Sequence, residues 1–105
     1  MESVTVTIGR GIGTTGDKLS DDAWARFRQL TAGAVRRAGY TVVVANDGTG
    51  EWEGITEENH VIVGIGESED LRPTLVRQLR TLAGAYNQDA IACSTGRANL
   101  IEARS

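Results

Sequence analysis

The 105 residues contain one cysteine, one proline, one histidine and one methionine, and only five Phe, Tyr or Trp rings. The lone Cys93 excludes an internal disulfide and fits a reducing compartment. The lone His60 leaves no second imidazole for a zinc site, and Cys93 with His60 alone is not a metal-ligand set. No apolar run approaches the roughly 18 residues of a membrane span, so no membrane partner is expected. The first residues alternate like a strand and carry no basic leader, which predicts a cytoplasmic protein without a signal peptide. Lys and Arg are absent between Arg37 and Arg72, where Asp47, Glu51, Glu53, Glu57, Glu58, Glu67, Glu69 and Asp70 all lie. With a net charge of −3 and a pI near 5.1, the chain lacks the basic surface of a nucleic-acid binder.

A chain of this length reads as one domain, residues 1–105, since domains most often hold about 100–150 residues. Val4, Val6 and Ile8 alternate with Ser3, Thr5 and Thr7, the period of a half-buried strand. A helix starts after Ser20 as N-cap, with Asp21 and Asp22 in its first turn and Leu19 and Trp24 as a hydrophobic staple. Trp24, Phe27, Leu30, Thr31, Ala34, Val35 and Ala38 form its apolar face, and Gly39 ends it. Strands are predicted at Tyr40–Ala45 and His60–Ile65, separated by a turn at Asn46-Asp47-Gly48 and a polar stretch. A second helix follows Ser68-Glu69-Asp70, with Leu71, Leu75, Val76, Leu79, Leu82, Ala83 and Tyr86 on its buried side. Asp89–Ser94 is predicted as the fourth strand, with Cys93 a buried, inert thiol, and the tail from Ala98 to Ala103 as a short fifth strand or a docking segment. The order β-α-β-β-α-β describes an α+β, ferredoxin-like sandwich: a four-stranded antiparallel sheet with two helices on one face. Its other face, with Thr5, Thr7 and Thr41, must meet water, a second chain or a ligand.

Gly11-Ile12-Gly13-Thr14-Thr15-Gly16 spells G-x-G-x-x-G, the glycine pattern of a dinucleotide-binding turn. The context argues against that reading. The helix cap is Ser20, four residues beyond Gly16, and Asp17 adds negative charge where a phosphate would sit. Two readings stay open: a simple connection, or an anion-binding nest of backbone N–H groups flanked by Arg10 and Lys18. The second makes Arg10, Gly11, Gly13, Thr14, Thr15 and Lys18 candidate ligand contacts.

The acidic stretch from Asn46 to Val63 offers Trp52 as a binding anchor or as a plug over the sheet edge. Its carboxylates do not follow the spacing of a calcium loop, and no metal or other cofactor is expected. Glu57 and Glu58 beside His60 are the candidate acid–base pair of an enzyme.

Trp24-Ala25-Arg26-Phe27 is similar to a W-x-x-F opening of a first helix, and Gly39-Tyr40-Thr41-Val42 to a G-[LY]-T-V start of a second strand. Gly50-Glu51-Trp52 resembles a G-x-W hairpin followed by a Glu, here Glu57 or Glu58. Tyr86-Asn87-Gln88-Asp89-Ala90-Ile91 resembles a Y-x-x-x-x-Q-x-x-[VI] ending with a shortened spacer. In these the chain resembles an uncharacterised family of small bacterial and phage proteins, which implies a ferredoxin-like fold and a dimer but no chemistry.

The leading expectation is a non-catalytic binding protein, a homodimer holding an anionic small molecule such as a nucleotide near the glycine loop, with Trp52 at the site. The alternatives are a small α/β-dimer enzyme using Glu57 or Glu58 with His60, and an inhibitor presenting the acidic hairpin to a basic protein.

Overall fold

The computed structural model describes residues 1–12, 17–52, 54–67, 69–99 and 101, without the side chains of Trp52, Ile55 and Glu69. In chain order the elements are β1 (Glu2–Gly9), β2 (Gly11–Ile12), β3 (Asp17–Lys18), α1 (Asp21–Arg37), β4 (Thr41–Trp52), β5 (Ile55–Gly66), α2 (Arg72–Ala85) and β6 (Ala92–Arg97). The main sheet has the order β4-β5-β1-β6, every neighbouring pair antiparallel. This is the ferredoxin-like α+β arrangement expected from the sequence. The short β2 and β3 form a separate ribbon inside the glycine-rich stretch.

The core lies where the two amphipathic patterns meet. Val4, Val6 and Ile8 of β1 are buried, with Trp24, Phe27, Ala34 and Val35 of α1, Leu75 and Leu79 of α2, and Ile62 of β5. Phe27 joins the helices: its ring stacks on Tyr86 at 4.6 Å and meets Trp24 edge-on at 6.2 Å. Leu19 and Trp24 are both buried, and the Ser20 hydroxyl accepts from Ala23 N at 3.2 Å, so α1 begins as its residues dictate. It ends at Gly39, whose φ of +112° suits a residue without a Cβ.

Four expectations need correction. Asn46-Asp47-Gly48 is not a turn: β4 and β5 run on as a two-stranded arm, and the chain reverses at Gly54, with φ +79°. The arm projects past the helices, so its residues need no apolar alternation and give no strand signal. It accounts for the molecule's long axis, 50 Å against 30 and 23 Å. The fourth strand is Ala92–Arg97, three residues later than expected, because Asp89, Ala90 and Ile91 still belong to the connection that follows the turn at Asn87 (φ 54°). Cys93 on that edge is exposed, because the helices do not cover β6. Ala98, Asn99 and Ile101 are not in a strand; the rest of the tail lies outside the described residues.

The consecutive valines of β4 are resolved by a bulge. Val42 pairs with Gly64 and Val44 with Val63, leaving Val43 as the extra residue. Val43 and Val44 are both exposed. The open sheet face carries Thr41 and Val44 beside Ile65 and Val63, then Ser3, Thr5 and Thr7.

Candidate functional site

Where β1 leaves the sheet, Arg10 turns its side chain under the start of α1. Its backbone is held on both sides, with its N–H donating to Glu58 O at 3.0 Å and its carbonyl accepting from Leu19 N at 2.9 Å. Only 8 % of the residue is exposed. Each guanidinium nitrogen is engaged: Nε donates to Leu19 O at 2.7 Å, one Nη to Glu58 Oε2 at 2.8 Å and the other to Asp21 Oδ1 at 2.6 Å. The Asp21 hydrogen bond raises the guanidinium pKa further, against the opposing effect of desolvation. The planar fork of arginine suits three acceptors in different directions, which a lysine would not match.

Glu57 points to the other side of β5. Its Oε1 accepts from Gly11 N at 2.6 Å. A Cβ at Gly9 would overlap this carboxylate, and one at Gly11 would approach it to 2.8 Å. Gln88, from the turn after α2, donates to Gly11 O at 2.8 Å.

Further along the arm, Asp47 and His60 stand directly opposite each other in the β4–β5 register. Asp47 Oδ1 lies 2.8 Å from His60 Nδ1, and the same carboxylate accepts from Arg28 at 2.9 and 3.1 Å. The hydrogen bond to His60 first, then Arg28, holds the Asp47 carboxyl below the usual aspartate range. Arg28 also lies over the Trp24 ring at 5.4 Å, and its Nε is buried without a partner among the described residues.

These residues surround two hollows. The first, of about 260 Å³, is lined by Arg10, Asp21, Trp24, Arg28, Asp47 and Glu58, with Gly48 and Asn59. The second, of about 330 Å³, lies along α1 between Arg28, Gln29, Ala32 and Arg36, with His60 in its wall. Arg28 borders both.

Of the residues singled out from sequence, the structure gathers Arg10, Gly11, Glu57 and Glu58 around the end of β1. Lys18 is exposed on β3, where its backbone pairs with Gly11. Gly13, Thr14 and Thr15 lie outside the described residues, as does the side chain of Trp52. Neither Glu57 nor Glu58 is the hydrogen-bond partner of His60; that carboxylate is Asp47, which had been read as a turn residue. Knowing that Trp52 pairs with Ile55 would have revealed it, because counting back from that pair brings Asp47 opposite His60. Arg28 carried no signal beyond its place on α1.

No family model matches this chain, and neither does any curated protein sequence. Two solved structures resemble it in fold. A phage SAM lyase in its apo state superposes with a TM-score of 0.60 at 16% identity, over 90% of this chain and 78% of the other. A phage SAM lyase in complex with S-methyl-5'-thioadenosine gives 0.55 at 17% identity, over 90% and 79%. The likeness to small phage proteins thus holds at the level of fold. No helix among the described residues is long and apolar enough to cross a membrane.

Proposed function

We propose that this protein is a small α/β enzyme that cleaves a sulfonium nucleoside of the S-adenosylmethionine type in the hollows beside Arg28. The carrying observation is the Asp47–His60 pair at 2.8 Å, which joins the two hollows: Asp47 lines the first beside Asp21 and Glu58, whose carboxylates would attract a cation, and His60 lines the second. The fold shared with phage SAM lyases supports the choice of substrate.

The chemistry fits the charges. In the first hollow the carboxylates of Asp21, Asp47 and Glu58 face the guanidinium groups of Arg10 and Arg28. The balance of these five groups is one negative charge, enough to favour a sulfonium. Cleaving a carbon–sulfur bond sends its electron pair to sulfur and removes the positive charge. A more acidic site would hold the substrate more tightly than the transition state, so pairing the carboxylates with arginines limits that loss. The broken bond is the one from sulfur to the amino-acid side chain; a C–H bond on the neighbouring carbon of that chain breaks with it, its electron pair becoming a C=C bond and its proton leaving. Asp47, kept ionised, accepts from His60 Nδ1–H and leaves Nε2 as the basic nitrogen to receive it. The unpartnered Arg28 Nε is a donor for an acceptor on the substrate.

The test is incubation with S-adenosylmethionine and detection of S-methyl-5'-thioadenosine by liquid chromatography and mass spectrometry. Product that disappears in His60→Asn supports the reading. Absence of both product and binding ends it.

A further inference from the structure

The opposite end of the sheet carries a second candidate site that the proposed reaction does not use. A groove of about 530 Å³ opens there, with Glu2, Glu67, Arg72, Thr95 and Arg97 in its walls and Met1 at its side. Glu2 is the unusual member. It continues the inward alternation of Val4, Val6 and Ile8 and is only 7 % exposed, so a carboxylate occupies what the pattern reserves for an apolar side chain. Its Oε1 accepts from the Tyr40 hydroxyl at 2.9 Å. Its Oε2 is buried and has no donor among the described residues. An acceptor left in that state carries its desolvation cost uncompensated, and an arriving donor would offset it.

Two arginines give the groove the opposite charge as well, alongside the exposed Glu67. Arg97 stands directly across from Glu2 in the β1–β6 register, and Arg72 opens α2. Both are exposed, and among the described residues neither forms an ion pair. Guanidinium groups so placed match a carboxylate through paired N–H donors. A purely cationic ligand would be repelled by the two arginines. A purely anionic one would leave Glu2 unsatisfied.

We propose that this groove binds a zwitterionic small molecule, in the simplest case a free α-amino acid, with its ammonium on Glu2 Oε2 and its carboxylate on Arg72 and Arg97. Met1, 51 % exposed, is the side chain that gives way to admit the ammonium. Tyr40 fixes the carboxylate from behind, so the buried oxygen keeps its place whether or not the groove is filled.

The experiment is an amide-detected NMR titration with three probes: L-glutamine, N-acetyl-L-glutamine and L-glutamine methyl ester. The expected result is saturable shifts at Glu2, Thr95, Gly96 and Arg97 with L-glutamine alone. Glu2→Gln, which keeps an acceptor for Tyr40, should weaken that binding about tenfold or more, or by at least about 1.4 kcal/mol. Should that variant not fold, Arg72→Gln and Arg97→Gln on exposed side chains carry the same test. Equal binding of all three probes, no saturable shift with L-glutamine, or unchanged affinity in the variants overturns the proposal. Turnover of S-adenosylmethionine is read separately and should be unaffected by Arg97→Gln, so the two readings fail independently.

Discussion

The Glu57 carboxylate crosses from β5 to accept the backbone N–H of Gly11 at 2.6 Å, and it passes over Gly9, where a side chain would collide with it. Gly9→Ala should therefore destabilise the protein by about 1–3 kcal/mol through overpacking. Adding Glu57→Ala should recover most of that loss, because the overlapping group is gone. Thermal denaturation of the two single variants and the double variant measures the coupling. Additive losses would mean that the glycine is needed for another reason.

Tyr40 donates to Glu2 from a site where burial first, and the Glu2 carboxylate next, push its ionisation up to about 12. The fold thus favours the neutral phenol, whose unfolded value is about 10. The sign follows: this contribution is complete below pH 10 and is lost as pH rises from 10 towards 12. Tyr40→Phe should cost about 1–3 kcal/mol at neutral pH and should flatten the alkaline loss. Denaturant unfolding between neutral and alkaline pH checks both.

Asp47 titrates below its ordinary value because His60 and Arg28 hold its charged form. Its contribution is present above about pH 4 and is lost as pH falls through the lowered value. Asp47→Asn should lower the melting temperature at neutral pH, and the gap from the parent should narrow on acidification below pH about 4. If the enzymatic reading holds, the same substitution and His60→Asn should each reduce turnover of S-adenosylmethionine by about 10²–10⁴-fold, as for loss of a general base.

Gly54 turns the arm with φ +79°. Gly54→Ala places a Cβ in the left-handed region at a cost of about 1–2 kcal/mol, although nothing nearby would touch it. Amide exchange should then quicken across the arm while that of Val4, Val6 and Ile62 stays unchanged. Uniform acceleration would show that the arm opens with the core.

Legibility followed burial. Val4, Val6 and Ile8 show themselves as a strand because one side faces the helices, and α1 is readable from Ser20 to Gly39 because cap, charge and apolar face agree. Thr49, Glu51 and Thr56 pair just as regularly but have no core to face, so their strand is silent in the sequence. The same silence hid Asp47 from His60. The glycine motif was visible, but its occupant was not. Gly11 spends its N–H on Glu57, a residue distant in the chain, and no local spacing could indicate that.

The bulge at Val43 decides which side of the arm carries Asp47. Val42 packs against the core, and an uninterrupted strand would give that side to even-numbered residues from there on. Absorbing Val43 as an extra residue changes the parity, so odd-numbered Ala45 and Asp47 follow Val42 onto the helix side, where Arg28 and His60 are. The extra residue is absorbed at Val43 and nowhere further along, so the register from Val44 to Trp52 stays in phase with His60. Removing Val43 would regularise β4 and leave Asp47 where it is. Removing Ala45 or Asn46 would turn the carboxylate to the open sheet face and leave His60 without it.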